Sequence, residues 1–578
     1  MTSTFRCILL LAAGALVQAE TVKFRERCLE DLVAQVPKIL ATQDTKTGRF
    51  GTGIWIVTDQ NLMFPLAVAW SYKSETNPYF HSPQLLTAIM AAGDALIEDQ
   101  DATGQWEFRK KDGSKWGKIY MPWTYSRWIR SFALIRDMMP GERRARWEKA
   151  LLLGYSGIAR QIDPAHIQNI SAHHAMGLYI AGQVFEKPEW KNEAKTYLHA
   201  VVAAQHPDGY WSENKGPVVN YGFVYVDAVG TYYGVSHDES VLPALRKTAM
   251  FHFYFTYPDG SNVETVDERN PYHGGVQTPN IGFVFSPEGR SYLARQWRLS
   301  NGPVPPDAAA SLLLWGEEGE ASAVGSGGAD FDYRLPSGDA AIRRRGPWFL
   351  VVSAMTTPVP NSRWIQDRQN FVSIFHEKAG LILGGGNTKL QPAWSNFTVG
   401  DTALFFHKPG DENPKFQPPA GVQHVPNSAQ LLNEPDFGVE LVYGPHRGRI
   451  VLEVKDFDHL DVKLSGDSEM TAHLTLLPHL KQPVLSASGK ETILGAEPIQ
   501  WLHGQAGSWI EHGSVRVTMP PSSSVRWPLA AHNPYAKDGK PTDDEKRIVL
   551  DAAANSAFSI AIKTATSSRT EGPGYPPK

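Results

Sequence analysis

Residues 206–233 read HPDGYWSENKGPVVNYGFVYVDAVGTYY: a Pro-Asp-Gly turn, then Glu213 and Asn214, then a tyrosine-rich stretch with the spacing of a helix. The same turn-then-helix unit recurs upstream. Turn signals such as TKTGRF (45–50) and DATGQW (101–106) alternate with helically spaced apolar runs at 28–40, 82–97, 123–139, 166–185 and 193–205. Helices joined by short loops, without a strict sequence period, predict helical hairpins curled into an (α/α) toroid over residues 20–315.

From about residue 320 the pattern changes. GPWFLVVSAM (346–355), NFVSIFH (370–376), GLILGGG (380–386), GRIVLEVKDF (448–457), TAHLTLLP (471–478), GSVRVTMP (513–520) and AFSIAIKTA (557–565) are short β-rich runs separated by Gly, Pro, Asn and Asp. They predict an antiparallel β-sandwich over 316–578. The connecting stretch, RLSNGPVPPDAAASLLLWGEEGEASAVGSGGAD, reads as one last short helix and a flexible crossing.

Composition narrows the function classes. A formal net charge of -4 gives no bulk attraction to nucleic acid, although a local basic pocket can still hold an anion. Residues 1–19 have one Arg, an apolar run from Cys7 to Val17 and a Val-Gln-Ala end, which is the layout of a cleaved export signal. The run is too short to be kept as a membrane span, so the expected location is secreted or periplasmic. The remaining chain then keeps only Cys28, which leaves no internal disulfide and no cysteine-based zinc site. No HExxH spacing or phosphate-binding glycine loop occurs, so neither a cofactor nor a catalytic metal is expected, while a structural ion in the sandwich stays open.

The stretches DGYWSEN (208–214), NYGFVYVDAV (220–229) and FHEKAGLILGGGN (375–387), in a chain of toroid-then-sandwich order, resemble the toroid-type polysaccharide lyases, heparinase II/III-like and hyaluronate/chondroitin AC-type. The resemblance implies β-elimination on an acidic, uronate-containing polysaccharide. That chemistry removes the C5 proton of a uronate whose carboxylate is neutralised, and returns a proton to the leaving O4. A tyrosine near positive charge can serve as base and acid.

Tyr221, between Asn220 and Gly222, falls where the family's Tyr-Gly stands, and Tyr225 lies one helical turn on as the reserve. Asn169 and His173 share a helix face; Asn169 precedes Tyr221 by 52 residues, close to the family's interval between neutralising Asn and catalytic Tyr. Glu213 and Asn214 stand where AC-type lyases carry a catalytic His, a departure from that pattern. Arg269 and His273, in DGSNVETVDERNPYHGG (259–275), are candidates to bind a uronate or sulfate. His376 is the candidate to reach the cleft from the sandwich. Trp123 and Trp211 are candidate sugar-stacking rings, within a sequence that also concentrates Trp106, Trp116, Tyr125 and Trp128 with Arg and Lys. For each single ring or imidazole, His174 above all, plain packing is the competing reading. Two other functions fit the same residues: a glycoside hydrolase using a pair among Glu213, Asp227, Asp259, Glu264 and Asp267, and a non-catalytic glycan-binding protein.

Overall fold

The computed structural model describes residues 20–51, 59–109, 115–322, 330–404, 415–536 and 538–563; the signal expected at 1–19 lies outside the described residues. Eleven α-helices among them fill the N-terminal half: α1 (Arg25–Leu40), α2 (Met63–Ser71), α3 (Pro83–Asp99), α4 (Pro122–Ile135), α5 (Gly141–Ala159), α6 (Asn169–Val184), α7 (Pro188–Ala203), α8 (Val219–Ser236), α9 (Leu242–Tyr254), α10 (Pro287–Leu299) and α11 (Pro306–Trp315). The even helices from α2 to α8 stand side by side as staves, each followed by an odd helix that starts the way back. A short turn of helix at Ile281–Phe285 continues the ring, and α11 closes it against α1 and α2. The last short helix expected in the connecting stretch is α11, and it serves as a stave: it buries Ala309, Ala310, Leu312 and Leu313. No helix among the described residues is long and apolar enough to cross a membrane.

One element of the toroid half escapes periodicity reading. Strands Trp106–Arg109 and Lys115–Ile119 pair as an antiparallel hairpin between α3 and α4, too short to show a clear alternation. Its base is rooted by Trp106, which packs on Tyr125 and Trp128 and donates from Nε1 to the Leu96 carbonyl at 3.0 Å.

The described residues of the C-terminal half form two antiparallel sheets of eleven and nine strands packed face to face. Strand Trp348–Ser353 explains why GPWFLVVSAM is an unbroken apolar run. Trp348, Leu350 and Val352 enter the core between the sheets, whereas Phe349 and Val351 point the other way, into a second core shared with the toroid. Tyr210, Phe251, Phe255, Tyr257 and Val263 supply the toroid side of that core. Polar clasps edge it: Asp208 accepts from the Ser337 backbone at 2.9 Å and from its hydroxyl at 2.6 Å.

The toroid interior carries buried histidines held neutral. His174 donates from Nε2 to the Tyr120 carbonyl at 2.7 Å, and burial drags its pKa from 6.5 down to about 4. Below pH 6.5 the unfolded chain therefore takes up a proton that the fold refuses, so this residue's share of stability is complete above pH 6.5 and lost as pH falls towards 4. At about 1.4 kcal/mol per pKa unit the share approaches about 3 kcal/mol. A His174→Gln variant, which keeps a donor, should melt below the parent at pH 7 by a gap that narrows steadily towards pH 4.5. A gap that stays constant across that range would mean that His174 titrates alike in the folded and unfolded chain.

Candidate active site

Helices α6 and α8 run parallel in register. Tyr179 meets Tyr232 edge-on at 5.0 Å and Gln183 donates to the Val235 carbonyl at 3.3 Å. An offset of 52 or 53 residues therefore relates level positions, which puts Asn169 and Tyr221 at the same end of adjacent staves. The sequence interval between them is the distance around one helical hairpin.

The residues at that end are held by buried carboxylates. Asp267, 3% exposed, accepts from the backbone N–H of Val219 at 2.8 Å and so caps the first turn of α8, which otherwise lacks a side-chain cap. The same carboxylate accepts from the backbones of Arg269 and Asn270, both at 2.7 Å. Burial raises the Asp267 pKa and these N–H donors oppose the rise. Glu268 accepts from the backbones of Asn214 and Lys215 at 2.9 and 3.1 Å, fixing the loop that carries Glu213. Glu264 accepts from Tyr257, from Ser373 and from the Gly385 backbone, and pins the loop to the sandwich. Asp259 is occupied by Ser261 and Tyr272. Asp259, Glu264 and Asp267 are thus structural receptors of N–H and O–H groups, not a free carboxylate pair.

Held this way, Arg269 lies over the Tyr221 ring at 4.8 Å, with the rings of Trp364 and Tyr535 at 5.4 and 5.8 Å. Trp364 and Tyr535 come from the sandwich half, and their rings meet at 5.3 Å. The Tyr535 phenol is pushed up to about 12, first by partial burial of its hydroxyl end; Arg269 opposes the rise and the neighbouring Tyr221 adds to it. Level with Tyr221, the Asn169 amide donates to Glu213 at 3.0 Å, and from one helical turn beyond Tyr221 the Tyr225 hydroxyl approaches the same oxygen at 3.4 Å.

A cavity of about 450 Å³ opens inside the toroid, with Trp123, His173, Phe223, Asp227 and Asp307 in its wall; His173 follows Asn169 by one helical turn and Phe223 follows Tyr221 by two residues. Trp123 stacks on His173 at 5.4 Å, nearly parallel. His173 stands 3.4 Å from Asp227 and is held well below its usual pKa, by burial first and by Arg127 and Arg130 next. Arg127 pairs with Asp307 at 2.6 Å and stands 3.8 Å from Asp227. Burial raises the Asp227 pKa; at Asp307 burial is again the largest effect, but the charge and hydrogen bonds of Arg127 together with the charge of Arg130 outweigh it and the pKa is lowered.

Five expected site residues take other places. His376 accepts from the Lys378 backbone, donates to the Phe457 carbonyl and packs edge-on against Trp348, all within the sandwich; its strand end faces a turn, not the cleft. Trp211, 2% exposed, donates to the Val201 carbonyl and stacks on Tyr225 at 5.2 Å, so it is a core ring. Tyr225 is itself 1% exposed, and burial followed by the Glu213 charge pushes its phenol up. His273 is exposed on the Arg269 loop and outside the aromatic cluster, and Asn214 contributes its backbone while its side chain is exposed. Trp364, Tyr535, Arg127 and Asp307 went unread in sequence. Only Asp307 carried a signal, a Pro-Pro-Asp helix start.

No protein-family model and no curated protein sequence matches the chain. Solved structures do. The chain is similar to a xanthan lyase from Paenibacillus (TM-score 0.55, 11% identity, 95% of this chain and 58% of that one). It is similar to chondroitinase AC lyase, solved with oligosaccharides (0.50, 12%, 94% and 83%), and to chondroitin AC lyase of Streptomyces coelicolor (0.50, 12%, 94% and 80%). The fold is that of the toroid polysaccharide lyases. The chain spans 58% of the length of the xanthan lyase.

Substitution should separate Tyr221 from Tyr225. Tyr225→Phe removes one long hydrogen bond from a packed ring and should leave turnover within about threefold of the parent, with a loss of stability near 1 kcal/mol. A hundredfold loss of turnover from that variant would move the chemistry to Tyr225.

Proposed function

We propose that the protein is a polysaccharide lyase that cleaves a uronate-containing polysaccharide by β-elimination. The observation that carries this reading is the carboxylate of Glu213 docked on the Asn169 amide, at the same end of the staves as Tyr221. An amide that already receives a carboxylate is suited to receive that of a uronate once Glu213 turns aside. Tyr221 removes the C5 proton and returns a proton to O4, and Arg269 beside its ring offers positive charge to the reacting oxygens. Trp123, in the cavity wall, supplies to a sugar the flat face that is not stacked on His173. The signal read at residues 1–19 fits a substrate met outside the cytoplasm.

Tyr221→Phe deletes one hydroxyl with little effect on packing, and should cost at least about a hundredfold in kcat while substrate binding persists. Activity within a few-fold of the parent would remove Tyr221 from the mechanism. Asn169→Ala should lose about 2.7 to 4 kcal/mol of transition-state stabilisation, read as kcat more than KM. On a methyl-esterified uronate, whose carboxyl is already neutral, the Asn169 variant should be less handicapped. An equal handicap on acid and ester, with an unchanged melting temperature, would overturn the neutralising role.

A hydrolase is the second reading, favoured by Asp227 and Asp307, two carboxylates on one cavity whose pKa values are driven apart. The products decide. Elimination leaves an unsaturated, ultraviolet-absorbing end for each bond cut, whereas hydrolysis releases reducing ends without that absorbance and would be abolished by Asp227→Asn.

A further inference from the structure

The aromatic-rich stretch at 106–128 is sorted by the fold. Trp106, Tyr125 and Trp128 are buried in the toroid core and Trp123 lines the cavity, whereas Trp116 is 63% exposed, the most exposed tryptophan among the described residues. It sits on the second strand of the hairpin, where its ring lies 5.4 Å from that of Phe108. An indole left this open on a two-stranded ribbon adds nothing to the core that Trp106 anchors at the ribbon's base.

The setting of Trp116 is basic. Arg109 and Lys115 both pair with the one carboxylate of Glu107 at 2.7 Å, which leaves a surplus positive charge, and Lys118 pairs with Asp101 at 2.7 Å. Arg109, Lys115 and Lys118 side chains are all more than half exposed. Exposed pairs of this kind are worth about 0–1 kcal/mol each, so an incoming anion can take over these cations at small cost. The hairpin also has a fixed relation to the cleft. From Trp116 the strand runs about 13 Å to Tyr120, whose carbonyl is held by His174 of α6, and α4 begins two residues later with Trp123 at the cavity.

We propose that this hairpin is a glycan-binding arm, a second contact for an acidic polysaccharide that also occupies the toroid cleft. Trp116 presents the flat face of its indole to a sugar, with the partly buried ring of Phe108 tilted beside it, and Arg109, Lys115 and Lys118 meet the carboxylates or sulfates of the chain. Because the strand carries Trp116 about 13 Å from Tyr120, the arm acts on a polymer long enough to reach past the cleft and not on short oligosaccharides. The proposal rests on the substrate being an acidic polysaccharide, as in the reading above.

The test is affinity electrophoresis of the full chain in gels containing xanthan, chondroitin sulfate or neutral dextran, together with elimination assays on polymer and on a tetrasaccharide. With an acidic polymer that retards the parent, Trp116→Ala should weaken retardation about fivefold, in line with the loss of one stacking contact. It should raise KM for that polymer by a similar factor and leave tetrasaccharide turnover and the melting temperature unchanged. Lys115→Gln/Lys118→Gln should reduce the salt dependence of retardation. Equal retardation of parent and Trp116→Ala, with elimination intact, would overturn the arm while sparing the lyase. Equal losses on polymer and tetrasaccharide would also overturn it, as would a change in sedimentation showing that Trp116 joins two copies. A parent that is retarded by no acidic polymer and eliminates none would remove both readings together.

Discussion

The carboxylate of Asp267 is the junction on which the site depends. It lies where water cannot reach it, a setting that disfavours its charge, and three backbone N–H groups compensate. Those groups belong to the first turn of α8 and to the loop of Arg269, while the Asp267 carbonyl receives the Asn387 amide of the sandwich at 3.1 Å. One residue thereby fixes the start of the helix that carries Tyr221, the approach of the guanidinium to its ring, and the seat of the second half of the molecule. Glu264 and Glu268 repeat the device on either side. The three carboxylates give geometry more than adhesion, because each exchanges hydration for hydrogen bonds of similar worth.

Adhesion comes from the apolar core between the halves. A strand such as Trp348–Ser353, apolar on both faces, belongs to two cores at once. The sandwich therefore holds a fixed position against the toroid, and loops remote in sequence become neighbours at the cleft. The cluster of Tyr221, Arg269, Trp364 and Tyr535 spans more than 300 residues of chain.

How far the sequence could be read follows from the range of the interactions. Helical periodicity and strand alternation are local, and the helices and strands they predict are present. The Asn169–Tyr221 interval was legible because parallel staves turn sequence distance into spatial level. The carboxylates of the 259–275 loop read as free to form a hydrolytic pair, since nothing local says that a sheet will cover Glu264 and Asp267. Trp211 and Tyr225 read as cleft residues because a helix shows its face but not which neighbour that face meets; they meet each other. His376 follows an apolar run into a strand, and whether its end points to the cleft or to the Phe457 turn depends on sheet packing alone. The same limit hid Trp364 and Tyr535, whose partners lie on the other half of the chain.

The double-sided strand also bears on how the protein is made. Synthesis proceeds from the N-terminus, so the toroid is complete by residue 315 while Phe349, Val351, Phe375 and Leu381, which cover Phe251, Phe255 and Tyr257, have not yet emerged. For that interval the nascent chain displays an aromatic face to the ribosome's surroundings, and every ring on it is a point of attachment for a chaperone or for another unfinished copy. The order of the two halves along the chain thus commits the cell to shielding the toroid until the sheet arrives.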